Sequence, residues 1–131
     1  MTSRRFLLVE EDPLLAASIA RAIVQLGGTV DATTNADAAR QKLREGPYVA
    51  ILVELSLVGV EGDPLALLRE ARERQPQAHI VIMGVAETGQ ATALAARALA
   101  EDAAHEFLGK PFGWQLIERI VTRGNGGPRE S

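Results

Sequence analysis

Short apolar runs alternate with longer segments of helical period along this chain, and few folds tolerate that alternation. Five runs read as buried strands: Phe6 to Val9, Thr29 to Thr33, Val49 to Val53, His79 to Met83 and Glu106 to Leu108. The third and fourth are nearly all apolar, as central strands of a parallel sheet are when both faces are covered. The segments between them read as helices. Asp12-Pro13 is an N-cap followed by proline at the first helical position. Leu15, Ile19, Ala22, Ile23 and Leu26 follow at helical spacing, and Gly27-Gly28 closes the helix. Asn35 caps a second helix with Ala36, Ala39 and Leu43 inward. Asp63-Pro64 repeats the cap-plus-proline signal before Leu65, Leu68 and Ala71. Thr88 opens an alanine-rich fourth helix with Leu94, Ala95, Ala98 and Leu99 on one side. A fifth begins near Gly113 and carries Leu116, Ile117, Ile120 and Val121.

Strands alternating with helices of this length imply right-handed βαβ units and a parallel sheet. Five such units predict an α/β, flavodoxin-like, doubly wound (βα)5 domain with strand order 2-1-3-4-5. The 131 residues, 47% of them apolar, suffice for one domain with a proper core. Residues 1–123 are expected to form it, and 124–131 (GNGGPRES) to be a disordered tail with no room for a second domain. No cysteine is present, so disulfides and thiolate metal sites are out of reach. The apolar run near the N-terminus is too short for a signal peptide or a membrane span, so a cytoplasmic, membrane-free protein is expected. A net charge of −3 from 14 basic and 17 acidic residues, without a basic stripe and with 4% aromatics, argues against nucleic acid as a partner.

In an open parallel sheet the chemistry collects at the carboxyl ends of the strands. Strand one ends in Glu10-Glu11-Asp12, strand three in Glu54, strand four in Gly84-Val85, and strand five is followed by Lys110-Pro111. Several carboxylates therefore converge with one lysine, in a chain that otherwise prefers arginine and has only Lys42 besides. Asp12 is expected to do no more than cap the first helix. Glu54 is different, because it interrupts an apolar strand where an ionised group is costly unless paired. Lys110 can supply the pair.

The segments LLVEEDP, YVAILVELSLVGVEG and FLGKPF resemble the three signature stretches of response-regulator receiver domains, in the same order and spacing, from about Arg5 to Val121. The resemblance implies a receiver in two-component phosphorelay signalling. It places Glu10 and Glu11 at the acidic pair that helps hold Mg²⁺, Ser56 at the position whose carbonyl ligates the metal, and Glu54 at the phosphoryl-accepting aspartate. Lys110, joined to Pro111 by a bond that is cis in the family, matches the lysine that contacts the phosphoryl group. Val85 stands at the switch threonine or serine, and Phe107 at the aromatic switch.

Several residues depart from that pattern. Glu54 is one methylene longer than aspartate, and misplacement of that order is expensive in phosphoryl transfer. Val85 keeps the shape of threonine without its hydroxyl. Glu11 replaces an aspartate, Val58 a proline, and Gly84 is expected to loosen the end of strand four. A pseudo-receiver follows: a stand-alone binding module, not an enzyme, with no cofactor or weak Mg²⁺. The alternative is a phosphorylatable, Mg²⁺-dependent single-domain regulator with at most a weak autophosphatase activity. Expected partners are signalling proteins such as a histidine kinase, a phosphotransferase or a regulator. Phe107 and Trp114 are candidates for the interface, and a homodimer through helix four, strand five and helix five is open. A flavodoxin-like cofactor site is disfavoured, since EEDP follows strand one where a Gly-rich phosphate loop belongs. His79 and His105 are expected to be ordinary surface residues at the amino ends of their strands.

Overall fold

The computed structural model describes residues 4–55, 65–85, 89–110 and 113–124, without the side chains of Gln90, Ala91, Trp114 and Arg123. In chain order the elements are β1 (Arg5–Val9), α1 (Pro13–Gln25), β2 (Thr29–Thr33), α2 (Ala36–Leu43), β3 (Ala50–Glu54), α3 (Ala66–Arg74), β4 (His79–Val85), α4 (Gly89–Ala100), β5 (Glu106–Lys110) and α5 (Trp114–Gly124). The sheet runs β2-β1-β3-β4-β5 with every neighbouring pair parallel, the order expected from the alternation.

Alternate residues of each strand feed two cores. Leu7, Val9, Ile51, Val53, Ile80 and Ile82 pack against α2, α3 and α4 through Leu43, Leu68 and Ala98, among others. Phe6, Leu8, Leu52, Val81, Met83 and Leu108 face α1 and α5, meeting Ile19, Ile23, Ile117 and Ile120. Because both faces are covered, the central strands have no polar side, which explains their unbroken apolar sequence. No helix among the described residues is long and apolar enough to cross a membrane.

The caps follow the sequence in α1 and α2. Asp12 Oδ1 accepts from the Leu14 and Leu15 amides at 3.0 and 3.3 Å, ahead of Pro13. At the other end Gly27 takes φ 99°, its N–H donates to Val24 O, and the Gly28 N–H donates to Ile23 O, a Schellman closure. Asn35 Oδ1 accepts from the Ala38 amide at 2.8 Å.

Elsewhere the boundaries differ from expectation. Strand β3 begins at Ala50 and takes in Glu54, while β4 continues to Val85 and β5 to Lys110, since parallel pairing persists through Gly84↔Gly109 and Val85↔Lys110. Helix α3 spans Ala66–Arg74 with Leu65 at the N-cap and no side-chain cap, while the expected cap Asp63-Pro64 lies outside the described residues. In α4, Ala95 and Ala98 are buried but Leu99 is 37% exposed, because it sits about 100° further round the helix than Ala98. Helix α5 extends to Gly124; the remaining residues of the expected tail, 125–131, lie outside the described part.

One buried amide ties three elements together. Gln75, just past α3, accepts the Tyr48 N–H with Oε1 at 3.1 Å and donates Nε2 to Leu43 O at 2.7 Å. Gln75→Leu leaves two buried backbone groups unpaired, each worth about 1–3 kcal/mol. Urea unfolding of that variant is expected to show a lower midpoint at unchanged m-value, with a loss of about 2–4 kcal/mol.

Candidate functional site

Leu8, Leu52 and Leu108 all lie in the core beneath α1 and α5. Side chains alternate along a strand, so the residues two positions further on leave the sheet on that same side. Those residues are Glu10, Glu54 and Lys110, and all three come at the carboxyl ends of their strands. Pairing of Leu8 with Leu52 sets Glu10 and Glu54 side by side, and the Glu10 N–H continues the β1–β2 ladder by donating to Thr33 O at 3.0 Å.

Strand β4 separates β3 from β5, so Lys110 must reach over about 10 Å, two strand spacings, to meet Glu54. The long stem of the lysine and the additional methylene of the glutamate cover that distance. The Lys110 ammonium forms an ion pair with Glu54 and donates to Glu10 Oε1 at 3.0 Å. The cluster is largely shut from water, with side-chain exposures of 1% for Glu10, 9% for Glu54 and 17% for Lys110. Carboxylates so placed are tolerable only with a cation and hydrogen bonds. Glu10 has both: its second oxygen accepts the Asp12 N–H at 3.1 Å. Burial works against the charged form of Lys110, but its hydrogen bonds to Glu54 and Glu10 and their charges outweigh it and hold its pKa above the ordinary 10.5.

The three acids after β1 therefore do three different things. Glu10 points inward to the lysine, Glu11 is exposed, and Asp12 caps α1 as expected. Val85 pairs in register with Lys110 at the end of β4 and is 45% exposed, bringing methyl groups to the rim where the resemblance places a hydroxyl. Gly84 does not loosen this strand end. It is buried, and a Cβ there would come within 3.0 Å of Leu55 Cβ, so glycine permits a close approach. Phe107 is partly buried against the core beneath α2, α3 and α4, and Trp114 opens α5. Ser56, Val58, Pro111 and Phe112 lie outside the described residues, as does the Lys110–Pro111 bond expected to be cis.

Of the acidic pair assigned to Mg²⁺ by resemblance, Glu10 is thus engaged by a cation of the chain itself. Mg²⁺ asks for a tight octahedron of oxygens. Here Glu10 has both oxygens committed, Glu54 meets the ammonium, and Glu11 is an exposed residue. Among the described residues no group of three or more His, Cys, Asp or Glu side chains is placed to hold a metal ion. As arranged, the described residues do not fit a Mg²⁺ site.

A second polar cluster lies at the opposite, amino end of the sheet. His79 and His105 are not isolated surface side chains: their rings stack 5.2 Å apart at 17°. His79 Nε2 lies 2.8 Å from Glu106 Oε1, Arg119 pairs with Glu106, and His105 Nδ1 accepts the Ile80 N–H at 2.9 Å. Burial raises the pKa of Glu106, but hydrogen bonds from His79 and Arg119 prevail and hold it below the ordinary 4.5. The sequence signal was available: Glu106 heads β5 one strand away from His79 at the head of β4, and Arg119 faces it from α5.

A family model described as the response regulator receiver domain matches residues 6–122. The transcriptional regulatory protein QseB of Escherichia coli O157:H7 is 29% identical over 93% of this chain and 55% of its own length. TcrA of Mycobacterium tuberculosis H37Rv, also a transcriptional regulatory protein, is 30% identical over 95% of this chain and 47% of its own. The chain spans about half the length of these curated relatives. Among solved structures, a CheY-like receiver domain from Methanospirillum hungatei JF-1 superposes with TM-score 0.77 at 17% identity, covering 95% of this chain and 96% of that one. The receiver domain of the sensor histidine kinase PA1611 from Pseudomonas aeruginosa PAO1, solved with a magnesium ion in its active-site cleft, gives TM-score 0.76 at 24% identity, covering 96% of this chain and all of that one.

Removing the ammonium leaves two buried carboxylates facing each other. Lys110→Met is expected to cost about 3 kcal/mol in urea unfolding at neutral pH, the low end of the range for breaking a buried pair, and Lys110→Arg to cost less. The amino-end cluster sets an acid limb. A carboxylate with a lowered pKa contributes stability that is present above its ordinary 4.5 and lost as pH falls through the folded value. Glu106→Gln should therefore flatten the decline in stability below pH 4.5, read by thermal unfolding across an acid series.

Proposed function

The chain belongs to the response-regulator receiver family, and from that premise we propose that it signals by protein binding, with its state set by the Lys110–Glu54 ion pair and not by phosphorylation. Membership carries the coarse function, a receiver of two-component signalling. The observation that carries the finer reading is the buried ammonium shared by Glu54 and Glu10.

Acceptance of a phosphoryl group needs a free carboxylate oxygen in line with the donor, with positive or donor groups around the transferred oxygens. The Glu54 oxygen that meets Lys110 is neutralised by it, and the additional methylene moves it off the position an aspartate would hold. Lys110 spends its charge on the chain's own carboxylates, and Val85 offers no hydroxyl to the vacated side. The residues therefore supply a fixed internal bond where a transient phosphoryl contact belongs. Partners such as a histidine kinase, a phosphotransferase or another regulator would read the face around α4, β5 and α5, where Phe107 lies and Trp114 opens the helix. A homodimer through that face, and action in the cytoplasm, belong to the same reading.

Incubation with acetyl phosphate and Mg²⁺, followed by intact-mass measurement, tests it. No phosphoryl adduct is expected on the native chain. An adduct that disappears in Glu54→Gln contradicts the reading and favours a phosphorylatable regulator. The double variant Glu54→Asp with Val85→Thr restores the shorter acceptor and the hydroxyl, and is expected to gain acid-labile labelling.

A further inference from the structure

We infer that Lys110 is the cation of this site: its ammonium, held between Glu10 and Glu54, takes the carboxylate oxygens a divalent ion would need, so the site is closed to Mg²⁺ for as long as the lysine stays. The inference rests on the reading above and concerns how the same site is regulated. Three observations carry it. Lys110 Nζ reaches both carboxylates at once, Glu10 at 3.0 Å and Glu54 through the ion pair. The remaining Glu10 oxygen is taken by the Asp12 N–H. Only 17% of the lysine side chain is exposed, so the ammonium meets the two carboxylates largely withdrawn from water.

A divalent ion could bind here only by displacing the ammonium or by settling beside it. Displacement separates a buried ion pair, and co-residence sets like charges at contact distance in a poorly hydrated place. Mg²⁺ is also reluctant to shed its own waters. An internal cation costs no ligand and cannot be diluted away, so the ion-paired state is independent of the divalent concentration around it.

Titration of the folded chain with MgCl₂, without any phosphodonor, provides the test, followed by calorimetry and by amide chemical shifts at Glu10, Glu54 and Lys110. The native chain is expected to show no saturable binding in the millimolar range. Lys110→Met, checked for folding by circular dichroism, is expected to bind Mg²⁺ at least about tenfold more tightly, as removal of a fixed charge at contact distance requires. Adding Glu10→Gln to that variant should abolish the gain. Equal affinity of the native chain and Lys110→Met overturns the inference. If Lys110→Met does not fold, the side-chain ammonium resonance of Lys110 in the native chain decides: persistence through the titration supports an internal cation, and its displacement by Mg²⁺ overturns it. The outcomes separate the two proposals. A chain that binds Mg²⁺ yet takes no phosphoryl group refutes the internal cation alone, and one labelled without binding Mg²⁺ refutes phosphorylation independence alone.

Discussion

Lys110 meets Glu10 and Glu54 because three parallel strands, each ending on the same pleat, deliver one residue apiece to the α1/α5 side of the sheet. The contact depends on the order β2-β1-β3-β4-β5, which seats β1 beside β3 and leaves only β4 between β3 and β5. It also explains why charged residues can follow such apolar strands. Two carboxylates at the edge of a buried sheet would repel each other and resist desolvation, and the ammonium removes both difficulties together. The rim of the fold is thereby stabilised by the same bond that occupies its chemistry.

Glutamate at the end of β3 changes what such an edge can do. An acceptor must present a free oxygen to an incoming phosphoryl group and release the lysine to greet it. Here the longer side chain reaches towards the lysine, Glu10 holds that lysine from the other side, and Val85 borders the site with methyl groups. The receiver frame, the apolar cores and the helical faces are all compatible with binding, while the group that ordinarily switches the frame is held by an internal ion pair.

Much of this was legible before any coordinates. The alternation of apolar runs and helical segments dictates the strand order, since few topologies accommodate five βα units, and the Asp12 and Asn35 caps were explicit in the residue types. The three charged residues could be placed at one edge because each follows a buried strand. Which face they take was also readable, from the period of two linking Leu8 to Glu10, Leu52 to Glu54 and Leu108 to Lys110. Strand ends were harder: β4 and β5 extend to Val85 and Lys110 because each supplies the other's partner, a pairing property no single segment contains. Side-chain networks between distant segments were harder still. Asp31 accepts from both Arg5 and Tyr48, each at 2.7 Å, and the stacked pair of His79 and His105 brings together residues 26 positions apart in number.

The whole account rests on an energetic link between Glu54 and Lys110, which a double-mutant cycle measures directly. Urea unfolding of the native chain, Glu54→Gln, Lys110→Met and the double variant, all at neutral pH, gives the coupling free energy of the pair. A bond that holds the site predicts a favourable coupling of about 1.5–3 kcal/mol, the upper part of the range seen for residues in one network. A coupling near zero, with the two losses simply adding, would contradict it and leave Glu54 available for chemistry.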